Sequence, residues 1–162
     1  MACEIVESAG AVYALWGRPT QLDVARILER IRASVKRNAG PIIYVSRVPD
    51  GAPPPDAQVR RYLGELMPTI VECCSSYHVV LEGTGFMAAV KRGVLVSLFQ
   101  IGQRRGPCFV HATCDDVVRH VGADKVATVT GLLNRARSQG LLDGNPLASM
   151  VPNAPTHLRK TG

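Results

Sequence analysis

The residues of this sequence with the strongest claim to chemistry are the segment Glu82-Gly83-Thr84-Gly85, the set Cys108, His111 and Cys114, the vicinal pair Cys73-Cys74, and a group of arginines led by Arg18 and Arg47. A Gly-x-Gly turn that opens a helix exposes backbone N–H groups able to hold an anion. This one lacks the third glycine of a dinucleotide fingerprint and the Gly-Lys-Ser/Thr of a P-loop. The plainer reading, preferred here, is that the glycines permit a tight turn and close packing, with Thr84 as the helix cap. Asp115 and Asp116 already place negative charge at their own helix start, so that terminus is a poor anion site.

Cys108, His111 and Cys114 have a spacing that suggests zinc. On a strand, however, side chains alternate faces, so Cys108 and His111 point opposite ways. A fourth ligand is also missing. A buried Cys and a half-buried His is the favoured reading. Cys73-Cys74 is not a Cys-x-x-Cys redox motif. His78 begins a strand, His120 ends a helix and His157 lies near the C-terminus. No Ser has the Gly-x-Ser-x-Gly setting of a hydrolase elbow, and no two carboxylates share an apolar helix face where raised pKa values would be expected. The expectation is a protein without catalytic residues, metal ligands or cofactor.

The elements that position these residues follow from hydrophobic periodicity. Glu4–Ser8 and Ala11–Trp16 are short runs of strand formers joined through Ala9-Gly10, a hairpin signal. Gly17-Arg18-Pro19 stops the second strand, and Thr20 is placed to cap a helix with Asp23 in its first turn. From Gln21 to Asn38, Leu22, Ala25, Leu28, Ile31 and Val35 recur at helical spacing, with arginines between them, and Gly40-Pro41 ends the helix. Ile42–Val45 reads as a buried parallel strand. A stiff proline loop, Pro49–Pro55, leads to a helix with Asp56 in its first turn, in which Pro68 predicts a kink or a restart. Tyr77–Glu82 is a third buried strand, Phe86–Gln100 an apolar helix, Gly102–Pro107 a basic loop and Cys108–Ala112 the last strand. A short helix runs from Asp115 to about Val121, and a final amphipathic one from about Asp124 to Ser138.

This order, β-β-α-β-α-β-α-β-α-α, predicts one α/β domain over residues 1–142. Its sheet is single, mixed and mostly parallel, of about five strands flanked by helices. Residues 143–162 read as a loose C-terminal tail. In open α/β sheets, ligands collect outside the carboxyl ends of the strands. That rule gathers Arg18, Arg47, Glu82, Gly83, Thr84 and Gly85 into a candidate ligand or anion site.

A net charge of +6 raises the question of nucleic acid, but the charge lies along one helix (Arg26, Arg30, Arg32, Lys36 and Arg37), in the loop at Arg104-Arg105 and in the tail. With 5% aromatic residues there is no stacking platform for single strands, and neither zinc-finger spacing nor an RNP-like strand is present. A basic helix face serves an acidic protein partner as well as a phosphate backbone. Arg26, Arg30 and Arg37 are therefore the candidate partner surface, with the proline loop Pro49–Pro55 as the alternative, and nucleic acid is the less favoured partner. Five cysteines without regular spacing suit reduced thiols rather than a disulfide framework. The N-terminal residues carry no basic and apolar leader pattern, and the longest apolar run, Phe86–Ile101, is interrupted by Lys91 and Arg92. A cytoplasmic protein without a membrane span is expected.

The hairpin ending Tyr13-Ala14-Leu15-Trp16-Gly17, the amphipathic helix after it, the strand Ile42–Val45 and the strand-to-helix segment Val79–Phe86 resemble the STAS-like proteins, specifically the SpoIIAA-like group related to anti-sigma-factor antagonists. The resemblance covers about residues 4–121 and is mainly one of topology. It implies a bacterial, noncatalytic regulatory module that binds another protein, with a homodimer as a further expectation. Antagonists of this fold carry a phosphorylatable hydroxyl in an Asp-Ser setting. The matching stretch, Val48–Asp56, has no hydroxyl residue, so no site residue is carried over. The fold also overlaps that of Sec14-type lipid carriers, for which the helix Phe86–Gln100 would wall a cavity. The alternative expectation is therefore a small-ligand, anion or lipid binder with its pocket at the strand carboxyl ends.

Overall fold

The computed structural model describes residues 3–85, 88–89, 92 and 107–143. Within them run β1 (Glu4–Ser8), β2 (Ala11–Leu15), α1 (Gln21–Asn38), β3 (Ile42–Val48), α2 (Ala57–Glu72), β4 (Cys74–Leu81), β5 (Cys108–His111), α3 (Cys114–His120) and α4 (Ala123–Ser138). The strands form one sheet in the order β1-β2-β3-β4-β5. β1 and β2 pair antiparallel, and every other pairing is parallel. This is the mixed, mostly parallel α/β sheet that the sequence predicts. Of the expected helix Phe86–Gln100, only Ala88, Ala89 and Arg92 are described, all three helical. Its remainder, with most of the lipid-cavity wall assigned to it, the loop Gly102–Pro107 apart from Pro107, and the tail beyond Asp143 lie outside the described residues.

Alternation along the strands sends side chains to two separate cores. Val12, Ala14, Tyr44, Tyr77 and Val79 pack under α1 and α2 with Val24, Ile27, Ile31 and Ile70. Ala11, Tyr13, Leu15, Ile43, Val45 and Val80 pack on the other side with Val117 of α3 and Val129, Leu132 and Leu133 of α4. Tyr44 and Tyr77 stack across the first core with ring centroids 4.8 Å apart. Because β2 and β3 are covered on both faces, Ala11–Leu15 and the run Ile42–Val45 are continuously apolar rather than alternating.

Local chemistry sets the element ends. Thr20 and Asp23 form a capping box at α1, and Thr113 and Asp116 form another at α3. Asp56 caps α2, which runs through Pro68 as one helix, so the expected restart is not present. Pro68 removes one hydrogen bond to the carbonyl of residue 64, where Gly64 leaves the backbone unusual freedom. β3 extends to Val48, and β4 begins at Cys74 rather than at Tyr77, because parallel pairing with β3 recruits Cys74 and Ser76 into the ladder, with Ser75 passed over at a register shift. α1 ends on a left-handed residue, as helices often do, but that residue is Ala39 (φ 52°) and not Gly40. A left-handed non-glycine residue is strained by about 1 kcal/mol. Ala39→Gly should therefore raise stability by about that amount in chemical denaturation, and an unchanged or lower stability would contradict this strain.

Candidate functional site

Arg47 at the end of β3 and Glu82 just past β4 meet where the sequence places the carboxyl ends of the strands. The Arg47 guanidinium donates to both carboxylate oxygens of Glu82, Nε to Oε1 at 2.7 Å and Nη2 to Oε2 at 2.9 Å. Its Nη1 donates to the Leu141 carbonyl at 2.7 Å, and the Tyr13 hydroxyl donates to the same oxygen at 3.2 Å. Burial opposes the Arg47 charge, but the hydrogen bonds to Glu82 and Tyr13 outweigh it and hold the guanidinium above its ordinary range. Burial pushes the Tyr13 phenol up to about 12, against the pull of Arg47. The segment after α4 thus covers the strand ends, with Leu142 buried beside it.

The glycine turn next to this pair presents the wrong groups to an anion. Gly83 sits at φ 118°, and a Cβ there would lie 2.8 Å from the Asp50 carboxylate oxygen, so the glycine is needed for the loop after β3 to approach. The Leu81 and Gly83 carbonyls accept from Arg92 Nη1 at 3.0 and 3.1 Å. A carboxylate and two carbonyl oxygens therefore surround a turn that an anion would need lined with N–H groups. Thr84 and Gly85 are exposed, and the next described residues, Ala88 and Ala89, are helical. Arg18 is exposed and forms no hydrogen bond or ion pair among the described residues. Of the six predicted strand-end residues, then, Arg47, Glu82 and Gly83 sit together and are engaged by the chain itself.

The arginines of α1 converge elsewhere. Arg26 donates through Nη2 to the Cys3 carbonyl and lies 3.3 Å from the Asp23 carboxylate. Arg30 pairs with Glu7 Oε1 at 3.3 Å, and Arg37 with Glu7 Oε2. From the opposite helical layer, Arg135 of α4 donates to the Glu7 carbonyl at 2.8 Å. Arg26, Arg30, Arg135 and Glu7 line a groove of about 350 Å³ along the outer edge of β1, which Ile5 and Gln139 also line. Arg26, Arg30 and Arg37 remain 47%, 59% and 56% exposed despite these contacts, so their charge is available to a partner.

At the other sheet edge three histidines gather. Nδ1 of His78 lies 3.0 Å from Nε2 of His111, and Nε2 of His78 lies 3.0 Å from Ser76 Oγ. His120 packs at a tilt against Phe109, with ring centroids 4.2 Å apart, and crosses His111 edge-on at 5.3 Å. Ser76, His78 and His111 have the spacing of a nucleophile, its base and an orienting group. Ser76 and His78 are only 6% and 1% exposed, however, and the open groove of about 490 Å³ beside them is lined by His111, His120, Asp116 and Arg119 rather than by the Ser76 hydroxyl. Burial, reinforced by the neighbouring His111, His120 and Lys125, pushes His78 down to about 3, which makes it a feeble base at neutral pH. Burial also lowers His111, only partly offset by Asp116.

Among the described residues no three His, Cys, Asp or Glu side chains are arranged to hold a metal ion. Cys108 packs against the α1–α2 core, while His111 lies on the opposite face beside α3. All five cysteines are free thiols. Burial pushes Cys3 and Cys114 up to about 12, which keeps both protonated and unreactive at neutral pH. No helix among the described residues is long and apolar enough to cross a membrane.

Set against known proteins, the chain matches no family model, no curated protein and no solved structure.

Sequence reasoning finds Arg47, Glu82 and the α1 arginines but misses the histidine chain and Arg135. Ser76 and His78 at strand spacing were the available signal for the former. Arg135 gives none, because it meets β1 across 128 residues of sequence.

Two outcomes follow from this geometry. Glu82→Ala leaves the partly buried Arg47 with only the Leu141 carbonyl and should cost about 2 kcal/mol, whereas the double variant Arg47→Met/Glu82→Leu should recover most of that loss in urea denaturation. An additive double variant would show that the two side chains do not act as a pair. His78 is held neutral in the folded state at a value below its unfolded one of about 6.5. Its contribution is therefore complete above that pH and is lost as pH falls toward the folded value. Between pH 7 and pH 5 the protein should lose about 2 kcal/mol from His78 alone, and His78→Gln should flatten the slope. An equally steep slope in that variant would assign the acid sensitivity elsewhere.

Proposed function

We propose that this protein is a noncatalytic regulatory module that binds another protein, and that it docks its partner on the basic face formed by α1 and the edge of β1. The observation that carries this reading is the convergence of Arg26, Arg30 and Arg37 with Arg135 at that edge, all from helices that flank it. Leu22, 79% exposed, lies one helical turn before Arg26 on the same row and adds an apolar contact suited to a protein rather than to a phosphate backbone. The resemblance to the SpoIIAA-like group of STAS-like proteins points the same way and suggests a cytoplasmic setting. The competing reading, a small-ligand, anion or lipid pocket at the strand carboxyl ends, is less favoured because Arg47 and Glu82 are bonded to each other and to the Leu141 carbonyl.

The test compares the wild type with the double variant Arg30→Glu/Arg37→Glu in affinity capture from native cells, followed by mass spectrometry. Both arginines form exposed pairs with Glu7, so the reversal should cost no more than about 1–2 kcal/mol of stability, which denaturation checks. A stoichiometric protein should be retained by the wild type and lost by the variant. Equal retention by both proteins would remove this face from consideration. Retention of a small molecule or lipid with no protein would favour the strand-end pocket.

A further inference from the structure

Among the described residues no strand pairs with the outer edge of β1, and that edge has a construction that goes beyond a basic surface. In an antiparallel pair, alternate residues turn their backbone groups toward the partner strand and the rest turn them away. The Cys3 and Glu7 carbonyls accept from Arg26 and Arg135, which lie outside the sheet, so residues 3, 5 and 7 are the outward set. The N–H and C=O of Ile5 sit between these two plugs and, among the described residues, have no hydrogen-bond partner. An unplugged edge of this kind is a template for another strand.

The geometry points to strand addition: an extended acidic segment of a partner protein pairs with the outer edge of β1, and the arginines that cap the edge move from backbone carbonyls to its carboxylates. This inference rests on the reading of the protein as a protein-binding module and names the partner's chemistry and its mode of docking. Main-chain hydrogen bonds from the incoming segment to Cys3, Ile5 and Glu7 supply attachment that does not depend on side chains. Specificity comes from charge. An incoming strand needs the Cys3 and Glu7 carbonyls, so Arg26 and Arg135 must find new acceptors, and only an acidic segment brings them. Alternate side chains of that strand face α1, with Arg26 and Arg30, or α4, with Arg135 and Gln139, so both faces of the docked strand meet a donor. Glu7, already shared by Arg30 and Arg37, marks the position a carboxylate takes between them.

The probe is a short capped peptide alternating Glu and Val, titrated against the isotope-labelled full chain, with amide shifts and hydrogen exchange read at Ile5 and Glu7. Three controls accompany it: the same sequence with Lys for Glu, and two copies N-methylated at alternate residues, one for each edge of the strand. The Glu-Val peptide should protect the Ile5 and Glu7 amides. One N-methylated copy should bind about tenfold or more weakly, since it loses several main-chain hydrogen bonds, and the Lys peptide should give no protection. Equal binding by both N-methylated copies would overturn strand addition while leaving a basic protein-binding face intact. Failure of the Glu-Val peptide to bind at all would overturn it as well. Protection of both amides in a dimer of the free protein would assign the edge to a second copy of this chain instead. The parent reading fails separately, if reversal of Arg30 and Arg37 leaves partner capture unchanged.

Discussion

The backbone polar groups of β2, β3 and β4 lie beneath helices on both faces, out of reach of water, and every one of them must be matched inside the sheet. From this constraint follows the division of the side chains into two cores, one under α1 and α2 and one under α3 and α4. It also follows that the middle of the sheet has no room for chemistry. Whatever this protein does must happen at the strand ends or at the two outer strands, β1 and β5. Each of these places carries a different set of polar side chains, and each set is satisfied differently.

At the strand ends the chain satisfies itself. Arg47 is held by Glu82 and by the carbonyl of Leu141, and a partly buried ion pair of this kind fixes geometry more than it adds stability. At β5 the imidazoles of His78 and His111 share a hydrogen bond in a setting that keeps them neutral, and His120 covers them from α3. At β1 the satisfaction is provisional. Guanidinium groups on flexible, half-exposed side chains cap backbone carbonyls that another strand could take over, and the released charges would then demand carboxylates.

Much of this was legible in the sequence, because the signals are local. The hairpin, the periodicity of α1, the apolar run of β3 and the capping residues Thr20 and Asp56 each follow from neighbours within a few positions. The strand-end rule brought Arg47 and Glu82 to one place, but spacing alone cannot say that they bond to each other. The arginines of α1 read as a helix face, whereas their direction toward β1 depends on how the helix crosses the sheet. The histidine chain escaped notice because Ser76 enters β4 only through parallel pairing with β3, and because His111 and His120 reach His78 from separate elements. Ala39 shows the same limit at short range: Gly40 carries the conventional stop signal, yet the left-handed turn falls one residue earlier.

The central claim is that the working surface of this protein is the β1 edge and not the β5 edge or the strand ends. The most direct measurement places a photo-crosslinking amino acid at one position per site in native cells: Glu4 on β1, Arg119 beside the histidines and Arg18 at the strand ends. Mass spectrometry then identifies the attached chain and the residue joined. The expected result is a single protein joined to position 4 through a Glu- or Asp-rich extended segment, with positions 18 and 119 unlinked. A protein joined only at position 18 or 119 would contradict this account and move the function to that site.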